Sequence, residues 1–148
     1  MAQPVTQSWS KLSIWPGDGA TPEVFTDMTC GFVSKGFNLS ATSADTTVPD
    51  CDDPDAPAWT ERVIRSMQGG ITGQGAMAEE TYDQWRTWML SGVAKTTKIV
   101  IELTAPGYYT GRFLLTRLDT TGNQADAKIQ VAITLESDGA ITWVTGAP

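Results

Sequence analysis

The chain contains no histidine. That absence removes the commonest general base, the Ser-His and Cys-His pairs of nucleophilic catalysis, and the commonest metal ligand. Cysteine is almost as scarce, with only Cys30 and Cys51. Two thiols without histidine cannot complete a four-ligand zinc site. They can form one disulfide or sit apart as small buried hydrophobes, and the second state is expected of a chain made in a reducing cytoplasm. Basic residues number 10 against 17 acidic ones, giving a net charge of -7 and a pI near 4.4. Such a chain does not hold nucleic acid by its phosphates, which requires clustered Lys and Arg; it repels a duplex instead. Charge of either sign is sparse, at 18% of residues against a usual ~25%. Much of the surface is therefore neutral, which suits a protein that buries surface against copies of itself. Long apolar runs are missing too. Met1 to Ala20 holds no apolar run of the ~7–15 residues found in export signals, and nothing nears the ~18 of a membrane-spanning helix.

What remains is a globular composition. Hydrophobic residues make up 41% of a chain of 148, a length that suits one domain hiding roughly 70% of its unfolded surface. Residues 1–23 read as an extended N-terminal arm, and residues 24–148 as a β domain with a long polar loop at 40–58. The arm carries Pro4, Pro16, Gly17, Gly19 and Pro22 and reads as irregular. Its apolar anchors Trp9, Ile14 and Trp15 pack on its own domain or dock on a neighbouring subunit.

Residues 24–39 read as a strand or bent strand pair. Val33, Phe37 and Leu39 share one face there, with a bulge suggested by Gly31 and Gly36. Gly69-Gly70 reads as a turn between residues 60–68 and a return strand at 71–77. Residues 79–91 form the one clear helix. Tyr82, Trp85, Trp88 and Met89 fall on a single stripe that predicts a core-facing side. Glu79 and Glu80 suit the positive end of the helix dipole, and Gly92 is a natural stop, although no N-cap residue is evident.

Beyond the helix the period changes to two. Ile99, Ile101 and Leu103 oppose Lys98, Glu102 and Thr104. Pro106-Gly107 turns the chain into a strand at 108–118, and a polar connection runs from Thr120 to Asp126. Ile129, Val131, Ile133 and Leu135 then alternate with Lys128, Gln130, Thr134 and Glu136. Asp138-Gly139 predicts a tight hairpin into Ile141–Val144. Strands, one helix, then strands give a mainly β fold, a β-sandwich or partial barrel of antiparallel strands with one α-helix packed on the sheet. No internal repeat is present.

Two motifs invite chemistry. Gly73-Gln74-Gly75-Ala76-Met77-Ala78 matches G-x-G-x-x-A at a helix entrance. A dinucleotide fold needs repeated strand–helix–parallel strand units, and one helix followed by hairpin-linked strands does not supply them. A glycine-rich hairpin arm closely approached by another backbone is the other reading. Asp45, Asp50, Asp52, Asp53 and Asp55 could hold Ca2+, but Pro54 breaks the EF-hand pattern and no closing Glu follows. Their segment otherwise reads as a solvated or interface loop stiffened by Pro49, Pro54 and Pro57. There is no P-loop and no G-x-S-x-G elbow. No residue is assigned as catalytic, cofactor-binding or metal-ligating, and no cofactor is expected.

The run SATSADTTVPDCDDPDAPAWTERVIRSMQGGITGQGAMAEETYDQW, followed by KIVIELTAPGYYTGRFLLTRLDTTGN and AKIQVAITLESDGAITWV, resembles the tail tube (major tail) proteins of long-tailed, siphovirus-like bacteriophages. The shared pattern is an N-terminal strand, a Thr/Asp-rich segment, a glycine-punctuated hairpin, a helix and a closing hairpin. It covers residues 24–145, and the Cys51–Asp55 run and the arm lie outside it. The resemblance implies a structural virion protein with no catalytic residues. It implies hexameric rings stacked head to tail around an inner β-barrel, a conduit for DNA entering the host. Implied partners are further copies of the chain and the tail terminator, tape measure and baseplate or distal tail proteins. Double-stranded DNA passes in transit without specific binding, and the subunit does not insert into a membrane. The implied location is the virion tail, after synthesis in the host cytoplasm. Two other readings stay open: the tube subunit of a contractile or type VI secretion-like machine, and a monomeric Ig-like binding module.

Within the tube reading, the loop residues Thr46, Asp50, Asp52, Asp53, Asp55 and Trp59 are expected at ring-stacking or subunit contacts, because long ordered loops are usually functional. The polar faces of the later strands, with Glu102, Thr104, Lys128, Gln130, Thr134 and Glu136, are expected to line the lumen. The acidic balance of the chain makes that wall one that repels DNA.

Overall fold

The computed structural model describes residues 2–125 and 127–148. In chain order its elements are a 3-10 turn (Trp9–Lys11), β1 (Leu12–Pro16), β2 (Phe32–Val48), β3 (Trp59–Ala76), α1 (Glu79–Ser91), β4 (Lys95–Ile101), β5 (Gly107–Gly122), β6 (Ile129–Ser137) and β7 (Thr142–Thr145). The strands form one antiparallel sheet in the order β1-β4-β5-β6-β3-β2, with β7 also paired to β5. This differs from the two separate sheets of an Ig-like sandwich.

Alternation drives the sheet. Val131, Ile133 and Leu135 of β6 are buried, while Gln130, Ala132 and Thr134 between them stay partly open. Their register partners Ile71 on β3 and Leu115 on β5 extend the same apolar face. The sheet then curls along β5 into a half-barrel. Residues 107–113 of β5 pair with β4, whereas 113–122 pair with β6. The curl brings Phe37 of β2 to 4.9 Å from Tyr109 of β5, although β3 and β6 separate those strands in the sheet.

The helix closes the apolar face. Trp85 and Trp88 are each 1% exposed, and their rings stack at 5.7 Å. Trp85 also stacks on Phe32, and the cluster continues through Ile14, Ile99 and Phe113. Trp88 Nε1 donates to the Val93 carbonyl at 2.8 Å, so the indole is satisfied as well as buried. Gly92 ends the helix at φ +67, a conformation that favours glycine. Tyr82 is partly buried, but Met89, which its spacing placed on the core-facing stripe, is exposed.

Several expectations are corrected. The arm contains a strand: β1 pairs with β4, and Ile14 is buried. Five residues show little periodicity, and an edge position tolerates Pro16. The polar loop is shorter than read. Ser40–Val48 belong to β2 and Trp59 onward to β3, leaving a connection at 49–58. Gly69-Gly70 is not a turn but lies inside β3. A Cβ at Gly69 would strike Ile141, and one at Gly70 would meet Asn38 Oδ1 at 2.8 Å. Glycine serves close packing there. The same holds at Gly75, where a Cβ would strike the Gly31 carbonyl and the Phe32 backbone, so the G-x-G-x-x-A motif is a crowded strand.

Asp138-Gly139 makes no hairpin. β7 resumes the course of β6 along β5, with Asp138 N donating to the Arg112 carbonyl at 2.8 Å. Gly139, at φ +101, permits the interruption. Residues through Gly122 belong to β5, and Asp126 of the predicted polar connection lies outside the described residues. Cys30 and Cys51 are unpaired and exposed instead of buried.

Truncating the helix stripe should unfold the domain. Trp88→Ala is expected to cost about 3–5 kcal/mol, measured by urea denaturation. Unchanged stability would place the indole outside the core.

Candidate assembly surfaces

Three features of the fold lack a partner among the described residues. The first is the outer part of the β2–β3 ribbon. β3 pairs with β6 only over Gly70–Ala76, while its pairing with β2 continues out to Val48↔Trp59. Every residue from Trp59 to Gln68 is exposed. Nine steps at ~3.3 Å make this arm roughly 30 Å long. Two strands alone are marginal in water. The arm also carries apolar side chains in the open: Leu39, Val48, Val63, Ile64, Met67 and, at 88% exposure, Trp59. Its cross-strand ion pair, Arg62 Nε to Asp45 Oδ1 at 3.1 Å, is solvated and adds little. Exposed apolar side chains on both faces of a two-stranded arm suit a contact with another molecule.

The expected loop residues gather at the far end of this arm. Thr46 lies within β2, and Trp59 opens β3 opposite Val48. Asp50, Asp52, Asp53 and Asp55 lie in the tip, where Asp52 N donates to Asp50 Oδ1 at 2.9 Å. Among the described residues, no three Asp, Glu or Cys side chains stand close enough to share a metal ion. Sequence reading missed the arm's apolar members Val63, Ile64 and Met67. Their signal was only a loose alternation across residues 60–68.

The second feature is a pair of open sheet edges. The outer edge of β2 is unpaired. On β5, residues Leu114–Gly122 have β6 on one side and no strand on the other, because β4 stops at the level of Phe113.

The third is the polar face of the sheet. Register places Thr72 and Gln74 of β3 beside Thr134 and Ala132 of β6, and these beside Arg117 and Asp119 of β5. Arg117 Nε and Asp119 Oδ2 pair at 2.6 Å. Of the six residues expected at the lumen, Gln130, Thr134 and Glu136 share this face. Lys128 is exposed just ahead of β6. Glu102 and Thr104 do not belong to it. They lie beyond the end of β4, where Glu102 Oε2 pairs with Lys11 Nζ at 3.0 Å. Elsewhere on the surface, Ala20 N and Val24 N donate to Asp18 Oδ1 and hold its carboxyl below the usual range. That contact shapes the 17–25 loop and gathers no reactive group.

Comparisons with known proteins agree with this geometry. A family model described as "Phage tail tube protein" matches residues 17–143. No curated protein matches the chain. Among solved structures, the fold is similar to the tail of an empty gene transfer agent particle refined with C6 symmetry. The TM-score there is 0.76 at 18% identity, covering 94% of this chain and 99% of that one. It is also similar to the SPP1 tail tube, with TM-score 0.64 at 9% identity over 95% and 80% of the two chains. A chain of the anti-feeding prophage baseplate gives 0.62 at 12% identity over 97% of each. The matched family is one of structural virion tail components and not of enzymes. Its model spans most of the sheet together with the helix, and the chain belongs to the phage tail tube protein family.

Proposed function

We propose that the chain forms hexameric rings that stack head to tail as the tube of a phage tail, a conduit for DNA. The observation that carries this is the pair of open edges. β2, β3, β6 and the outer half of β5 run antiparallel in turn. An even number of strands leaves the two outer edges running in opposite directions. A copy rotated about a central axis therefore sets its β2 antiparallel against the open edge of β5, and the pairing repeats around a ring. Six copies of four strands close a barrel of about 24 strands, wider than the ~16–18 that already leave an aqueous channel. Closure also removes the edges, which otherwise invite uncontrolled pairing.

The lumen face follows by elimination. One face of these strands is filled by the core and α1, so the polar face turns to the pore. Gln130, Thr134 and Glu136 then line the wall, with Lys128 at its rim. Arg117 and Asp119 neutralise each other, and the wall offers no cluster of cations on which phosphates could condense. DNA passes without a binding minimum. The arm supplies the axial contact. Thr46, Trp59 and the tip aspartates reach a different patch on the next ring, a heterologous contact that builds open stacks. The tail terminator, tape measure and baseplate proteins would complete such a tail at its ends and within its pore. The match to a phage family sets this reading ahead of a secretion machine.

Two measurements test it. Deleting residues 46–56 removes the tip of the arm and is expected to leave a folded protein that forms no tubes in negative stain. Tubes of unchanged length and number would refute the stacking role. Backbone amides from Trp59 to Gln68 should exchange rapidly in the free chain and become protected in tubes. Equal exchange in both states would show that the arm makes no contact.

A further inference from the structure

At the base of the arm lies a cavity of about 650 Å3, lined by Leu39, Ala41, Met67, Gln68, Ala140 and Ile141 among others. No charged side chain lines it. Leu39 is 55% and Met67 79% exposed, so both gain burial only when something enters. We propose that this cavity seats Trp59 of the next copy along the stack. The proposal rests on the stacking role given above and names where the tip of the arm docks.

The chain does not fill its own cavity, because Trp59 and Gln68 sit nine residues, or roughly 30 Å, apart along β3. In head-to-tail assembly, a knob at one end of a subunit meets a hole elsewhere on the same subunit, and the contact repeats. Trp59 is the knob, an exposed indole backed by Val48 across the ribbon. Buried aromatic anchors of this kind carry much of the energy of protein interfaces. The hole is continuous with the arm, sharing Leu39, Ala41, Met67 and Gln68 with it. Charge fits as well. The tip carries Asp50, Asp52, Asp53 and Asp55 and no basic residue. Arg65 is the extra residue of the β3 bulge, two places before Met67, and makes no ion pair among the described residues. It meets the tip aspartates at the arm side of the cavity, while Asp138 on the far side turns them toward it.

The native Cys51 provides the probe, since it lies in the tip. In a Cys30→Ser background, Gln68→Cys places a second thiol at the cavity. Tubes treated with a short bismaleimide should give a ladder of linked chains on a denaturing gel, because the two thiols of one chain are too far apart to join. Thr87→Cys on α1 should give none. Tubes without a ladder from Gln68→Cys overturn the seat and leave the stacking role standing, whereas a Cys30→Ser parent that forms no tubes overturns both. Trp59→Ala should lower tube yield about tenfold at an unchanged melting temperature, with Trp59→Phe restoring most of it. Full yield from Trp59→Ala would also overturn the seat.

Discussion

A sheet edge is a row of backbone N–H and C=O groups that need partners, and the structure of this chain is organised around where they find them. β1 caps one side of the sheet, but β2 and the outer half of β5 are left open. A monomeric protein would blunt such edges with charge, proline or a covering helix. Here α1 covers a face and not an edge, and β2 carries no proline and only Lys35 and Asp45 as charged residues. The open edges are complementary in direction, so in the proposed ring each edge would satisfy that of the next copy.

The remaining features serve that geometry. Gly73 and Gly75 let β2 and its preceding turn lie close on β3. The β5 irregularity between Leu115 and Arg117 adds twist where the sheet curls. Trp85 and Trp88 fill the curl, fixing one face as core and leaving the other to water. The ribbon extends past the core with apolar residues on a surface that the single chain cannot bury. A two-stranded arm is marginal in water and is held firmly only by what it docks on.

The parts legible in the sequence are those whose periodicity reflects burial within one chain. α1 announces itself through Tyr82, Trp85 and Trp88 at helical spacing and Gly92 at its end. β6 does so through Val131, Ile133 and Leu135. Within the ribbon, residues 40–48 were read as loop because neither face of its outer part is buried by its own chain, so little alternation marks it. Gly69-Gly70 and Asp138-Gly139 misled for a related reason. Glycine marks a turn, a close approach or a bulge equally well, and only the neighbouring strands decide which. The grouping of Gln130, Thr134 and Glu136 on one strand face, and of Asp50, Asp52, Asp53 and Asp55 in one connection, was readable. Glu102 and Thr104 were not, because β4 ends at Ile101, the register partner of Leu12 in a strand too short to recognise.

The central claim is that open edges of neighbouring copies join into one barrel with the polar face inward. A helical cryo-EM reconstruction of tubes grown from the purified chain tests it directly. The expected result is antiparallel backbone pairing between the free edge of β2 and residues 114–122 of the adjacent copy, with Gln130, Thr134 and Glu136 at the pore. A pore lined by α1 or by the apolar face, or tubes in which those edges stay unpaired, would contradict it.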